Sequence, residues 1–133
     1  LETLGLTEDC SYRFSQWDPA NKTKYEGRAE QWNRAQAVMG GILDGLVVKY
    51  EVGVDEAAFY GPKLDIQIKN VFGKEDTLIT VQIDFVQPDR FDMSYVDSDG
   101  QKKRPYVIHR TSIGCYERTL AILIEKYAGA LPA

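Results

Sequence analysis

The stretch LDIQIKNVFGKEDTLITVQIDF, Leu64 to Phe85, decides the fold. In its first third Leu64, Ile66 and Ile68 are apolar, while Lys63, Asp65, Gln67 and Lys69 are polar. After a loop over Asn70 to Asp76 that contains Gly73, the period of two returns: Ile79, Val81, Ile83 and Phe85 against Thr80, Gln82 and Asp84. Alternation of this kind is the mark of a half-buried strand, because successive side chains leave a strand on opposite faces. Two strands joined by a short loop pair antiparallel. Their polar residues then share one face. That face is either the wet side of an ordinary antiparallel sheet or the floor of a site, and its Lys, Gln, Thr and Asp offer donors and acceptors to a polar ligand.

Working upstream, Val48, Tyr50, Val52 and Val54 alternate as another strand, and Cys10 to Phe14 does the same. Between them, Trp32, Ala35, Met39, Ile42, Leu43 and Leu46 follow helical spacing over Arg28 to Leu46. Gly40 and Gly41 weaken that helix by about 1 kcal/mol each relative to Ala, or serve a close approach to the sheet. Leu1 to Leu6 reads as a helix terminus with Gly5 as a left-handed cap. Downstream, Phe91–Val96 and Arg104–His109 are expected to flank a turn at Asp97 to Gly100, with Pro88 and Pro105 at strand edges. A helix is expected from about Ser112. Its body, LAILI at Leu120 to Ile124, is apolar on every side, which predicts burial all round. The first turn carries Arg118, near the unpaired N–H groups of the helix end. It is either a solvated residue or one that joins the helix end in drawing a phosphate.

The chain of 133 residues has the bulk of one domain, and its 44% hydrophobic and 27% charged residues are ordinary for a globular protein. A net charge of −4 supplies no basic field for nonspecific nucleic-acid binding. Two cysteines, Cys10 and Cys115, without Cys-x-x-Cys spacing, fit a reducing cytosolic setting, and no apolar run reaches membrane-spanning length. His109 is the only histidine, and neither cysteine stands at ligand spacing to it. A zinc site needs three or four donors, so spacing within this chain does not argue for one. The start at Leu1, within an apparent helix end, is expected to mark a piece of a longer protein.

Four segments carry a family resemblance: AAFYGPKLDIQIKN (Ala57 to Asn70), TVQIDF (Thr80 to Phe85), PDRFDMSYVDSDG (Pro88 to Gly100) and RPYVIHRTSIGCYER (Arg104 to Arg118). Together they resemble the threonyl-tRNA synthetase family of class II aminoacyl-tRNA synthetases, over nearly the whole chain from about Asp9. The match corresponds to the second half of the catalytic domain, and Ile113 to Arg118 with the following helix resembles the third class II signature motif. The resemblance implies an α+β fold, an antiparallel sheet flanked by helices, with residues 1–133 a partial catalytic domain and no complete second domain. It implies an enzyme that activates threonine with ATP and magnesium, then charges tRNA(Thr), in a cytoplasmic homodimer.

Position by position, Arg118 matches an arginine that contacts the terminal phosphate of ATP. His109 matches the last of three zinc ligands, the zinc holding the amino and hydroxyl groups of threonine and so rejecting valine. Tyr60 and Gln82 match residues lining the threonine and adenylate pocket, Thr80 one near the adenosine, and Lys63 a neighbouring lysine grouped with Arg118 as catalytic. Two positions depart from the family pattern: Thr77 stands where glutamine is usual against ATP, and Cys115 where serine is frequent in the pocket. The first two signature motifs and the other zinc ligands match nothing in this chain, so the isolated chain is expected to be inactive. A synthetase-like domain that binds or regulates without catalysis is the alternative.

Overall fold

The computed structural model describes residues 1–131. Five strands make the main sheet: β1 (Cys10–Gln16), β2 (Glu51–Val54), β3 (Lys63–Lys69), β4 (Glu75–Asp84) and β7 (Val107–Arg110), in the order β2-β1-β3-β4-β7. Three of the four pairings are antiparallel, among them the β3–β4 hairpin. The fourth differs from expectation: β2 joins β1 in parallel. The cause is the connection, since helix α1 (Ala29–Gly45) lies between the two strands and carries the chain back to start β2 in the same direction. The fold is thus α+β, with a five-stranded sheet flanked by helices.

Both long helices lie on the apolar face. Phe14, Leu64 and Ile83 pack with Trp32, Ala35, Met39 and Leu43 of α1, together with Phe85. Trp32 is stacked on Trp17 at 5.3 Å and meets Phe85 edge-on at 5.1 Å, while its Nε1 donates to the carbonyl of Glu26 at 2.7 Å. Farther along the same face, Ile68, Leu78 and Ile79 pack with Ile122 of α3 (Tyr116–Tyr127) and with Leu6. Each fully buried side chain of this size contributes about 1.5–3 kcal/mol. An added Cβ at Gly40 would meet the Phe14 ring at an ordinary 3.7 Å and one at Gly41 would meet nothing, so neither glycine is there for a close approach.

Four local expectations are corrected. Helix α3 begins at Tyr116, not near Ser112, with Cys115 extended as its N-cap and Gly114 at φ 73° before it. It is not buried all round: Thr119 and Ile122 are buried, whereas Tyr116, Leu120 and Ile124 are exposed, because the sheet covers one stripe of the helix only. Pro88 is not at a strand edge but inside the first turn of a short helix, α2 (Val86–Arg90), where a missing N–H costs least. The hairpin that follows is small, β5 (Tyr95–Val96) against β6 (Lys102–Lys103), and β7 leaves it to pair with β4.

The hairpin contains one irregularity. Ile66 pairs with Ile79 but Gln67 pairs with Thr77, so Leu78 is an extra residue in β4. Such a bulge turns two successive side chains inward, and Leu78 and Ile79 are both buried in the same cluster. The loop before α3 rests on this point: a Cβ on Gly114 would lie 1.9 Å from the Leu78 carbonyl oxygen.

Candidate functional site

Register, not only parity, makes the polar face. Lys63 stands opposite Gln82, Asp65 opposite Thr80, Arg13 opposite Asp65, and His109 opposite Gln82. Among the described residues both long helices pack on the opposite face. A hollow of about 420 Å³ opens on it, lined by Glu56, Ala57, Ala58, Tyr60, Lys63, Thr80 and Gln82.

The wall of the hollow is the turn at Tyr60-Gly61-Pro62. Phe85 donates its N–H to the Tyr60 carbonyl at 3.3 Å and Ile83 to that of Pro62 at 3.2 Å, which presses the turn onto β4. A Cβ on Gly61 would fall 1.8 Å from the Ile83 oxygen, so only glycine allows that contact. Tyr60 is thereby aimed at Gln82, and its hydroxyl donates to Gln82 Oε1 at 2.9 Å. Gln82 is 7% exposed. Its other amide atom, Nε2, is the one buried side-chain nitrogen or oxygen without a partner among the described residues. A buried donor left unpaired costs about 1–3 kcal/mol, and an acceptor brought by a ligand removes that cost.

Charge on this face is paired in two sets. Asp65, buried, accepts from the Thr80 hydroxyl at 2.7 Å and from Lys63 Nζ at 2.5 Å. Arg13 forks onto Glu56 with contacts of 2.6 and 2.5 Å and reaches Glu51 at 3.1 Å. The Arg13 fork holds the Glu56 carboxyl below the usual carboxylate range, and the same bonds raise the guanidinium. Beside Glu56, Asp55 sits at φ 65° and accepts from Tyr25 Oη at 2.8 Å and Asn21 Nδ2 at 3.1 Å. These bonds hold the turn that carries Glu56.

His109, half-exposed, lies beside the hollow: its ring is 6.1 Å from that of Tyr60, and its Nε2 is 3.0 Å from Asp84 Oδ2. Among the described residues no group of three His, Cys, Asp or Glu side chains could hold a metal ion, so His109 offers one nitrogen and not a complete site. Arg118, Thr77 and Cys115 lie at the other end of β4. Arg118 donates to the Thr77 carbonyl at 2.5 Å and is otherwise exposed, as is Cys115. Five residues of strand with a bulge put Thr77 roughly 15 Å from Gln82. The fold therefore gathers Tyr60, Lys63, Thr80, Gln82 and His109 at one end and Arg118, Thr77 and Cys115 at the other, along one strand. Sequence reasoning passed over Arg13 and Glu56, and it placed Asp65 and Asp84 on the polar face without a role. Asp65 and Asp84 were visible as acids of polar parity on strands rich in Ile and Val, but nothing in the sequence shows what they hold.

The family described as tRNA synthetase class II core domain (G, H, P, S and T) matches residues 4–127. Over 132 residues the chain is 66% identical to the threonine–tRNA ligase of Clostridium botulinum (strain Eklund 17B / Type B), covering 99% of this chain and 20% of that protein. It is 50% identical over 131 residues to the threonine–tRNA ligase of Streptococcus thermophilus (strain ATCC BAA-491 / LMD-9), with 98% and 20% covered. The chain thus spans about a fifth of the length of these curated relatives. Among solved structures, the RNA binding domain of threonyl-tRNA synthetase from Cryptosporidium parvum Iowa II superposes with a TM-score of 0.84 at 32% identity, over 98% of this chain and 32% of that one. The threonyl-tRNA synthetase ThrRS-1 of Aeropyrum pernix gives 0.76 at 31% identity, over 95% and 29%.

Proposed function

This chain belongs to the tRNA synthetase class II core domain family, and from that premise we propose that it is part of the catalytic domain of a threonine–tRNA ligase. On this reading it supplies one wall of a site where ATP, with magnesium, and threonine form threonyl-adenylate before transfer to tRNA(Thr). Ile113 to Arg118 with α3 is the third signature motif of the class, and the parent enzyme is a cytoplasmic homodimer. What supports the reading is the polar track along β4. An aminoacyl-adenylate is an elongated molecule, and one laid along the strand meets Gln82, Lys63 and Thr80 at one end and Arg118 at the other. Chemistry of this kind needs positioning and charge stabilisation more than a protein nucleophile, and the track supplies amides, hydroxyls and two cations. Zinc, when bound, polarises and holds the amino and hydroxyl groups of threonine. His109 would be one ligand, and the others would come from elsewhere in the polypeptide.

The single observation that carries the proposal is the orphaned Nε2 of Gln82, a donor already buried and waiting for an acceptor. Its test is threonine-dependent ATP–pyrophosphate exchange by the full-length polypeptide that contains this chain. Gln82→Leu is expected to lower kcat/KM by a factor of ten to a hundred, the value of about 1.4–2.7 kcal/mol for one lost bond to substrate. Unchanged exchange would remove the basis of the reading. The 133-residue chain alone, with half of the donors, is expected to show no micromolar zinc or ATP binding by isothermal titration.

A further inference from the structure

Asp84 is absorbed by none of the roles above, although it is the most deeply placed acid of the polar parity, with no exposed surface. Its two oxygens do different things. Oδ1 accepts from the backbone N–H groups of Val86 and Gln87, both at 2.9 Å, and so satisfies the start of α2. That task needs one oxygen. Oδ2 instead reaches 3.0 Å to Nε2 of His109, a residue 25 positions away on the edge strand β7 and half-exposed. Capping alone gives no reason for this second bond.

We infer that Asp84 is a positioning residue that locks His109 as the Nε2–H tautomer, leaving Nδ1 as the ring's sole lone-pair donor. An ionised carboxylate only accepts, and Oδ1 is already committed to two donors, so the contact at Oδ2 is satisfied when the ring donates through Nε2–H. A neutral imidazole carries one N–H, which leaves Nδ1 bare. Because Asp84 is fully buried and held at Oδ1 by two backbone donors, between the end of β4 and the first turn of α2, it cannot follow the ring. The ring must conform to it. Histidines that bind metals commonly give their second N–H to a carboxylate in this way, which sets which nitrogen ligates. The consequence for zinc, that Nδ1 is the ligating atom, rests on the proposed function; the tautomer does not.

His109 is the only histidine, so its ring nitrogens are unambiguous in a two-bond nitrogen–proton correlation spectrum of the 15N-labelled 133-residue chain, recorded where the ring is neutral. The expected spectrum has one pyridine-type nitrogen at Nδ1 and one fully protonated nitrogen at Nε2. In Asp84→Asn the amide oxygen still serves α2 while the amide N–H faces the ring, so the tautomer is expected to invert to Nδ1–H. Averaged ring shifts in the wild-type chain, or the Nδ1–H form there, would overturn the inference, and this holds even where the variant fails to fold. So would an unchanged ring in an Asp84→Asn chain whose amide spectrum is otherwise preserved. In the full-length polypeptide the same substitution is expected to weaken zinc binding by about tenfold to a hundredfold in chelator competition. An inverted tautomer with unchanged zinc affinity would leave the positioning role standing and remove His109 from the zinc site.

Discussion

The two ends of β4 are built differently. At the Gln82 end the chain presses the Tyr60-Gly61-Pro62 turn onto the strand, buries Asp65, Gln82 and Asp84, and clamps His109. At the Thr77 end a bulge meets Gly114, Arg118 makes one bond to a backbone carbonyl, and Cys115 and the outer face of α3 stay exposed. The first end is preorganised by core packing. The second has guanidinium donors to spare and little to hold them.

The glycines at the two ends give the hardest test of that contrast. Gly61→Ala is expected to cost about 3 kcal/mol or more in urea denaturation, since a Cβ has no space against the Ile83 carbonyl and the whole sheet must shift. Gly114→Ala meets as close a contact and a left-handed φ, yet it is expected to loosen α3 alone. Hydrogen exchange should then quicken in Tyr116–Tyr127 and stay slow in β3 and β4. Equal loss of protection in both regions would show that the two ends are one cooperative unit.

Smaller effects follow from polar groups. Gln82→Leu in the unliganded chain is expected to raise stability by about 1 kcal/mol, because it removes an unpaired buried donor while the Tyr60 hydroxyl turns to water. Arg118→Leu should change stability by no more than about 0.5 kcal/mol, as an exposed side chain with one bond. Opposite signs of stability and activity at Gln82 would mark a site whose strain serves binding. The Arg13–Glu56 pair gives a pH signature. The folded Glu56 carboxyl lies below its unfolded value, so its contribution is present above the unfolded value and is lost as pH falls through the lowered folded one. Glu56→Gln should flatten the acid side of a plot of urea midpoint against pH, by a small amount because the pair is partly exposed.

How much of this was legible beforehand can be judged from particular residues. The alternation at Leu64–Ile68 and Ile79–Phe85 told which side of the sheet each residue takes, and the spacing from Trp32 to Leu46 told where α1 lies; the structure has both. The motifs around Tyr60, Gln82, His109 and Arg118 indicated the family. The bulge at Leu78 was not legible, since an extra residue in one strand is defined only against its partner. The one-sided burial of α3 was not legible either, for LAILI reads as core whether or not enough sheet is present to cover it.

The sequence by itself determined the β3–β4 hairpin, the main helix and the polar face, because periods of 2 and 3.6 are properties of the local backbone. Only the tertiary structure decided that Lys63 stands opposite Gln82, that Arg13 finds Glu56 across 43 positions, and that Asp84 holds His109. It also decided which donor goes unpaired. Register and burial are set by contacts between residues remote in sequence, so a hydrogen bond and the lack of one at Gln82 Nε2 look alike until the chain has folded.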